Sequence, residues 1–238
     1  MKKFQDYIQD RPPRPSDWTR EHVRTLRKLA QDGDADALVT LGNLCLEGLR
    51  HPDGAVLVRR DVRHGRRCLE RATQLGDSDG MLSLASYLSR PGARTSELAR
   101  ADALYRRAFR LGCETAAFNL ATTYKQRGRY RDAVRWYRRA HEAGDPSALL
   151  QLARAELYGP GTKRDPKAAL AKLRRMAAGT TKWWPPSTGE NVEAMIEIAR
   201  VLKDGWLVPR DFYEALRWLR RAAKWNSATA NAMIEDSR

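Results

Sequence analysis

The stretch RGRYRDAVRWYRRAHEAGD, residues 127–145, followed at once by PSALLQLARAELYG, residues 146–159, decides how the rest of the chain is read. In the first, Ala133, Trp136, Tyr137 and Ala140 recur at helical spacing, with arginines between them. In the second, Ala148 stands one helical turn before Leu152-Ala153, so a small residue, a large aliphatic and a second small residue share one face. Gly144-Asp145 separates the two, a helix stop followed by a helix cap. The unit is therefore a helix that ends in a basic-Ala stretch, a tight turn, and a second helix with a small-xxx-Leu-Ala seam.

Both halves recur. The second type of helix appears as LGNLCLEG (41–48), LASYLSRP (84–91), LATTYKQRG (120–128), LARAELYG (152–159) and IARVLKDG (198–205). One turn before each anchor stand Ala37, Gly80, Ala116, Ala148 and Ala194. A small residue at a fixed place lets a neighbouring helix approach closely. The first type appears as CLERA (68–72), LYRRA (104–108), WYRRA (136–140), KLRRM (172–176) and WLRRA (218–222), preceded by the small residues Gly65, Ala101, Ala133, Ala169 and Ala215. Asp61, Glu97, Arg129, Asp165 and Asp211 open these helices, four of the five acidic and suited to the positive helix end. We term the anchor helices A and the basic ones B. The anchors lie 43, 36, 32 and 46 residues apart. Helix pairs at an imperfect period of this size predict an all-α fold, an α-solenoid of antiparallel helix pairs.

The pattern resembles the Sel1-like branch of the tetratricopeptide superfamily. Its motif is carried by Ala148, Leu152, Ala153, Gly159, Gly161, Asp165 and Ala169. It is carried again by Ala194, Ile198, Ala199, Gly205, Val208, Asp211, Ala215, Trp218 and Ala222. The resemblance implies a right-handed solenoid over residues 33–226, with A helices lining the concave surface and B helices the outer one. It also implies adaptor or regulator roles and, in some bacterial members, immunity against a cognate toxin. The sequence departs from the family at the aromatic position four residues after each anchor, which reads Cys45, Leu88, Tyr124, Glu156 and Leu202. A carboxylate on a packed face is costly unless paired. Glu156 is accordingly expected at the helix edge, with Leu157 filling the core, and Cys45 is expected to be a small core residue.

The ends and insertions follow from the register. Residues 1–15, with RPPRP at 11–15, read as an extended leader, and 16–32 as an N-terminal capping helix with Val23, Leu26 and Ala30 at helical spacing. Residues 227–238 read as a partial sixth repeat that caps the other end. The B-to-A connection at 180–191 is longer than its counterparts and carries Trp183-Trp184-Pro185-Pro186. A second insertion, 50–61, lengthens the first A-to-B connection and is expected to form a small extended excursion.

At 238 residues and 42% hydrophobic content the chain can bury a core. No segment approaches 18 uninterrupted apolar residues, and no apolar run follows the N-terminal lysines, so neither a membrane span nor a signal peptide is expected and the location is read as cytoplasmic. Cys45, Cys68 and Cys113 lack ligand spacing, and the four histidines are scattered, which excludes a sequence-legible disulfide framework or zinc site; no cofactor is expected. Nucleotide-binding and zinc-protease motifs are absent from the sequence, and no acid, base and nucleophile recur together. The chain reads as a non-enzyme.

The formal charge of +15 demands an acidic counterpart or a solvated basic face. The excess sits on the B segments, while the A segments are slightly negative in sum. Asn43, Ser86, Thr122, Arg154 and Arg200 stand two residues after the anchors, with Asn119, Gln151 and Glu197 beside them. Polar side chains that differ from repeat to repeat on a rigid surface suit a protein or peptide partner, with Trp183 and Trp184 as further contacts. The alternative is a nucleic acid laid along the arginine pairs Arg66-Arg67, Arg106-Arg107, Arg138-Arg139, Arg174-Arg175 and Arg220-Arg221. Aromatic side chains that would stack bases are not interleaved at the outer B positions.

Overall fold

The computed structural model describes residues 17–179, 189–225 and 227–236. Among the described residues there are twelve α-helices and one two-stranded hairpin, so the chain is all-α. It divides into two compact units, Met1–Ala116 and Ala117–Arg238. The predicted leader and the tryptophans Trp183 and Trp184 lie outside the described residues.

The first unit begins with α1 (Arg20–Gln31), whose Val23, Leu26 and Ala30 are buried. It continues with A helix α2 (Ala35–Glu47), strands β1 (Leu49–Arg50) and β2 (Val56–Val58), B helix α3 (Val62–Gln74), and the pair α4 (Ser78–Leu88) and α5 (Thr95–Arg110). The excursion expected at 50–61 is the antiparallel hairpin β1–β2. One core joins Leu26, Leu38, Leu41, Cys45 and Ala72. The second unit holds most of α6 (Glu114–Gln126), then α7 (Tyr130–Glu142), α8 (Pro146–Tyr158), α9 (Pro166–Ala178), α10 (Gly189–Asp204), α11 (Phe212–Ala223) and α12 (Ala228–Glu235). Its core gathers Leu157, Leu173, Met176, Met195, Ile198 and Leu219.

The turns into α2, α4 and α8 are built the same way. Gly33, Gly76 and Gly144 take the left-handed backbone that ends the B helix, with φ of 89°, 85° and 102°. The aspartate that follows caps the A helix: Asp34, Asp77 and Asp145 accept the backbone N–H of Ala37 at 2.8 Å, Gly80 at 2.5 Å and Ala148 at 3.2 Å. In these three helices the small residue one turn before the anchor is thus also the third residue of its helix. Its smallness is a packing requirement. A Cβ on Gly80 would stand 2.7 Å from Ala72 Cβ, and one on Gly65 would stand 2.7 Å from the Gly42 carbonyl oxygen, so α3 meets both α2 and α4 at near contact.

Four of the five A-to-B turns, all but the one between α4 and α5, share a different device. Asp61, Arg129, Asp165 and Asp211 donate their backbone N–H to the carbonyls of Cys45, Tyr124, Glu156 and Leu202 at 2.8, 2.9, 2.9 and 3.1 Å. These carbonyls belong to the variable aromatic position. The fold uses the backbone there, which explains why Cys, Tyr, Glu and Leu are all accepted. The hairpin β1–β2 is extruded between Cys45 and Asp61 without breaking this clamp. Asp61, Asp165 and Asp211 also cap α3, α9 and α11 through their carboxylates. Glu97 differs from its expected place at the helix start. The α5 cap is Arg94, and Glu97 reaches back from the third position to accept the Arg94 N–H at 3.1 Å.

Leu157 is fully buried, as the register requires, and Glu156 lies half-buried, where Lys172 of α9 donates to both its oxygens at 2.6 and 2.5 Å. The Cys45 thiol is buried and pushed up to about 11, by burial first and then by Cys68 and Asp61, which suits an inert core residue.

Candidate protein-interaction surface

The predicted surface row is stitched from one A helix to the next. In the first unit Asn43, two residues past its anchor on α2, donates through Nδ2 to Ser83 Oγ, one residue before the anchor of α4, at 3.2 Å. In the second unit Arg154, two past its anchor on α8, donates through Nε to Glu197, one before the anchor of α10, at 3.2 Å. Lys125 of α6 donates to Gln151 of α8 at 3.0 Å. Ser86 is exposed, and Asn119 is half-buried with its backbone carbonyl accepting the Thr123 hydroxyl at 2.8 Å. Thr122 faces the B helix instead, its hydroxyl 3.1 Å from that of Tyr137.

Glu197 reads as a surface position in sequence, yet only 2% of it is exposed. Burial is tolerated because three donors converge on its carboxylate: Arg154 at 3.2 Å, Arg200 at 3.1 Å and the Tyr158 hydroxyl at 2.5 Å. Arg154 also pairs with Glu193 at 3.3 Å. The Tyr158 phenol is pushed up to about 12, first by burial and then by the carboxylate it donates to. Two arginines and a tyrosine are thereby fixed in orientation before any partner arrives.

Tyr158 carries this order outward. Its ring stacks on Trp206 with centroids 6.3 Å apart and planes at 29°, and Trp206 remains 58% exposed. The Arg164 guanidinium lies 5.7 Å from the Trp206 ring centre, and its Nε donates to the Tyr158 carbonyl at 3.2 Å. The α8 terminus makes this possible. Gly159 takes φ of +84°, and a Cβ there would stand 2.9 Å from the Arg164 side chain, so the glycine opens the path for Arg164. Trp206 and Tyr158 were missed in the sequence reading. The available signal was Trp206 itself, a large aromatic beside the loop glycine Gly205 that no core position accounts for.

The arginine pairs on the B helices are all exposed apart from Arg66, which is half-buried. Several are engaged locally. Arg66 and Arg100 both bond Glu70, at 3.1 and 2.9 Å, and although burial alone would raise the Glu70 carboxyl, these partners hold it below the usual range. Arg139 lies over Trp136 at 4.6 Å and Arg221 over Trp218 at 5.5 Å, while Arg174 reaches both Glu214 oxygens at 2.9 and 3.0 Å. Arg106 and Arg175 also have local interactions. Arg67, Arg107, Arg138 and Arg220 have no ion-pair partner among the described residues. Also among the described residues, no helix is long and apolar enough to cross a membrane, and no group of three His, Cys, Asp or Glu could hold a metal.

Comparison with known proteins places this architecture. The Sel1 repeat family model matches residues 35–77, 115–145, 146–178 and 192–224, more than half of the chain. The pair α4–α5 keeps the helix-pair form outside those matches. Comparison with curated proteins found no match. Among solved structures, a Sel1 repeat protein from Oxalobacter formigenes is similar over 86% of this chain and 79% of its own, with TM-score 0.61 and 23% identity. A putative Sel1 repeat protein from Klebsiella pneumoniae is similar over 90% of this chain and 98% of its own, with TM-score 0.50 and 16% identity. An immunity protein from Pseudomonas aeruginosa aligns over 96% of this chain and 71% of its own, with TM-score 0.44 and 18% identity. With the repeat model covering four helix pairs and the same turn chemistry in each unit, the chain belongs to the Sel1 repeat family, an α-solenoid family whose repeats generally mediate protein–protein interaction.

Proposed function

We propose that this chain is a non-catalytic scaffold of the adaptor or regulator type that binds another protein or peptide on the A-helix surface of its second unit. Asn119, Gln151, Arg154 and Arg200 supply polar contacts there and Trp206 supplies the anchor at the rim. The observation that carries this reading is Trp206, an exposed tryptophan held in place by Tyr158 and Arg164 and backed by the buried Glu197 network. Tryptophan and arginine are the side chains that dominate binding energy at interfaces, and pre-ordering them lowers the entropy lost on binding. Ser86 and Asn43 extend the same register in the first unit, and Trp183 and Trp184 belong to the proposed contact set by their place in the connection before α10.

The test is capture from a lysate of the encoding organism with nuclease present, using the wild type, Trp206→Ala and Arg138→Ala/Arg220→Ala. The reading expects a discrete protein that the first variant loses and the second retains, with unchanged thermal melts. The immunity role that the family resemblance implies for some members would appear as capture of a toxin. Nuclease-sensitive material lost only from Arg138→Ala/Arg220→Ala would replace the reading with a nucleic acid bound on the B helices.

A further inference from the structure

The hairpin inserted between α2 and α3 leaves a groove against α1, and this groove lies outside the surface proposed above. It encloses about 470 Å³, bounded on one side by Arg20, Arg24, Arg27 and Lys28 of α1 and on the other by Val56 and Leu57 of β2. The four cations occupy helix positions i, i+4, i+7 and i+8, so they project along one stripe. All four are exposed, and none has a hydrogen-bond or ion-pair partner among the described residues. The nearby carboxylates make their hydrogen bonds elsewhere, although the Asp53 carboxyl is held below its usual range by the Ala55 N–H first, then by His51, and also by the charge of Arg20. Asp53 pairs with His51 at 3.0 Å, and Asp61 accepts the His64 N–H at 2.9 Å as the cap of α3.

The opposite wall has its own incompleteness. Among the described residues β2 has β1 as its single sheet neighbour, so its other edge has no strand partner among them, and Val56 is 44% exposed on that strand. An unpaired strand edge offers a ladder of backbone donors and acceptors to an incoming strand. The cation stripe spans roughly 12 Å at the helical rise, the length of about four residues of extended chain. The four together span too far to converge on one phosphate, and their spacing matches side chains that alternate along a strand. Val56 and the half-buried Leu57 line the same groove above the buried Val23 and supply an apolar face for the residues between the charges.

We infer that the groove between α1 and β2 binds an extended acidic peptide segment, which adds a strand to β2 and sets its carboxylates against Arg20, Arg24, Arg27 and Lys28. The insertion at 50–61 thereby gains a role that the repeat itself does not require.

The test uses the full chain and a fluorescein-labelled ten-residue peptide of alternating Glu and Val, followed by fluorescence anisotropy. Binding is expected, with affinity at least about tenfold weaker in Arg24→Glu/Arg27→Glu and unchanged in Arg138→Glu/Arg220→Glu. Arg24→Gln/Arg27→Gln is the second variant should the reversed charges disturb α1. A peptide N-methylated at alternate residues, which cannot pair with a strand edge, is expected to lose a similar factor. The inference is overturned by absence of binding, by equal loss in the B-helix variant, by unchanged binding of the N-methylated peptide, or by a single-stranded oligonucleotide that binds more tightly and competes at Arg24 and Arg27. None of these outcomes bears on Trp206, so this inference and the proposed function fail separately.

Discussion

Asn43 in the first unit and Arg154 in the second stand at the same register, two residues past an anchor, and each reaches the residue before the next anchor. The first makes one neutral contact, amide to hydroxyl at 3.2 Å, between half-buried side chains. The second enters a buried charge network in which Glu197 is met by Arg154, Arg200 and Tyr158. The stitch is a property of the repeat, since both pairs join the residue two past one anchor to the residue one before the next. The chemistry placed on the stitch is not set by the repeat. Where it is charged and buried, it also organises an exposed aromatic; where it is neutral, it only closes a seam.

This contrast can be broken most forcefully at Glu197. Glu197→Ala leaves the Tyr158 hydroxyl and the part-exposed Arg154 and Arg200 without their shared acceptor, and a loss of about 3 kcal/mol of unfolding free energy is expected in urea titration. A loss no larger than that of Asn43→Ala would show that the network is not energetically distinct. Next in size is Gly65→Ala, which drives a Cβ into the Gly42 carbonyl; because backbone cannot step aside as a flexible side chain can, the expected cost is about 1–3 kcal/mol in the same titration. This effect tests the near contact of α2 and α3 in the first unit. Asn43→Ala should cost about 0.5–1.5 kcal/mol, the worth of one hydrogen bond.

The same network also predicts a pH dependence. The Tyr158 phenol ionises at about 12 in the folded chain against an ordinary value of 10, so its contribution to stability is complete below pH 10 and is lost as the pH rises towards 12. Stability followed from pH 9 to 12 should fall more steeply in the wild type than in Tyr158→Phe. Parallel curves would remove Tyr158 from the network.

Much of this was legible in the residues. Leu152, Ala153 and Ala148 gave the A seam, Gly65 and Gly80 marked the closest helix approaches, and Asp165 and Asp211 marked B-helix starts, because each requirement is local and recurs. Glu97 was misplaced by one turn, since an acidic residue serves a helix N-terminus equally well as the cap or as the third residue. The burial of Glu197 was not legible. Its partner Arg154 lies 43 residues away, and pairing across that distance has no pattern within either helix. Trp206 escaped for the opposite reason: it sits in an A-to-B loop, where the repeat fixes the glycine and leaves the following side chain free.

The claim that the Trp206 rim of the second unit is the contact surface is tested most directly by site-specific photo-crosslinking. Benzoylphenylalanine is placed at position 206 in one variant and at position 138 on a B helix in another, each irradiated in cells, with adducts identified after nuclease digestion. The account predicts a discrete protein adduct from position 206 and none of the same identity from position 138. A nucleic-acid adduct from position 138, with position 206 uncrosslinked, would contradict it.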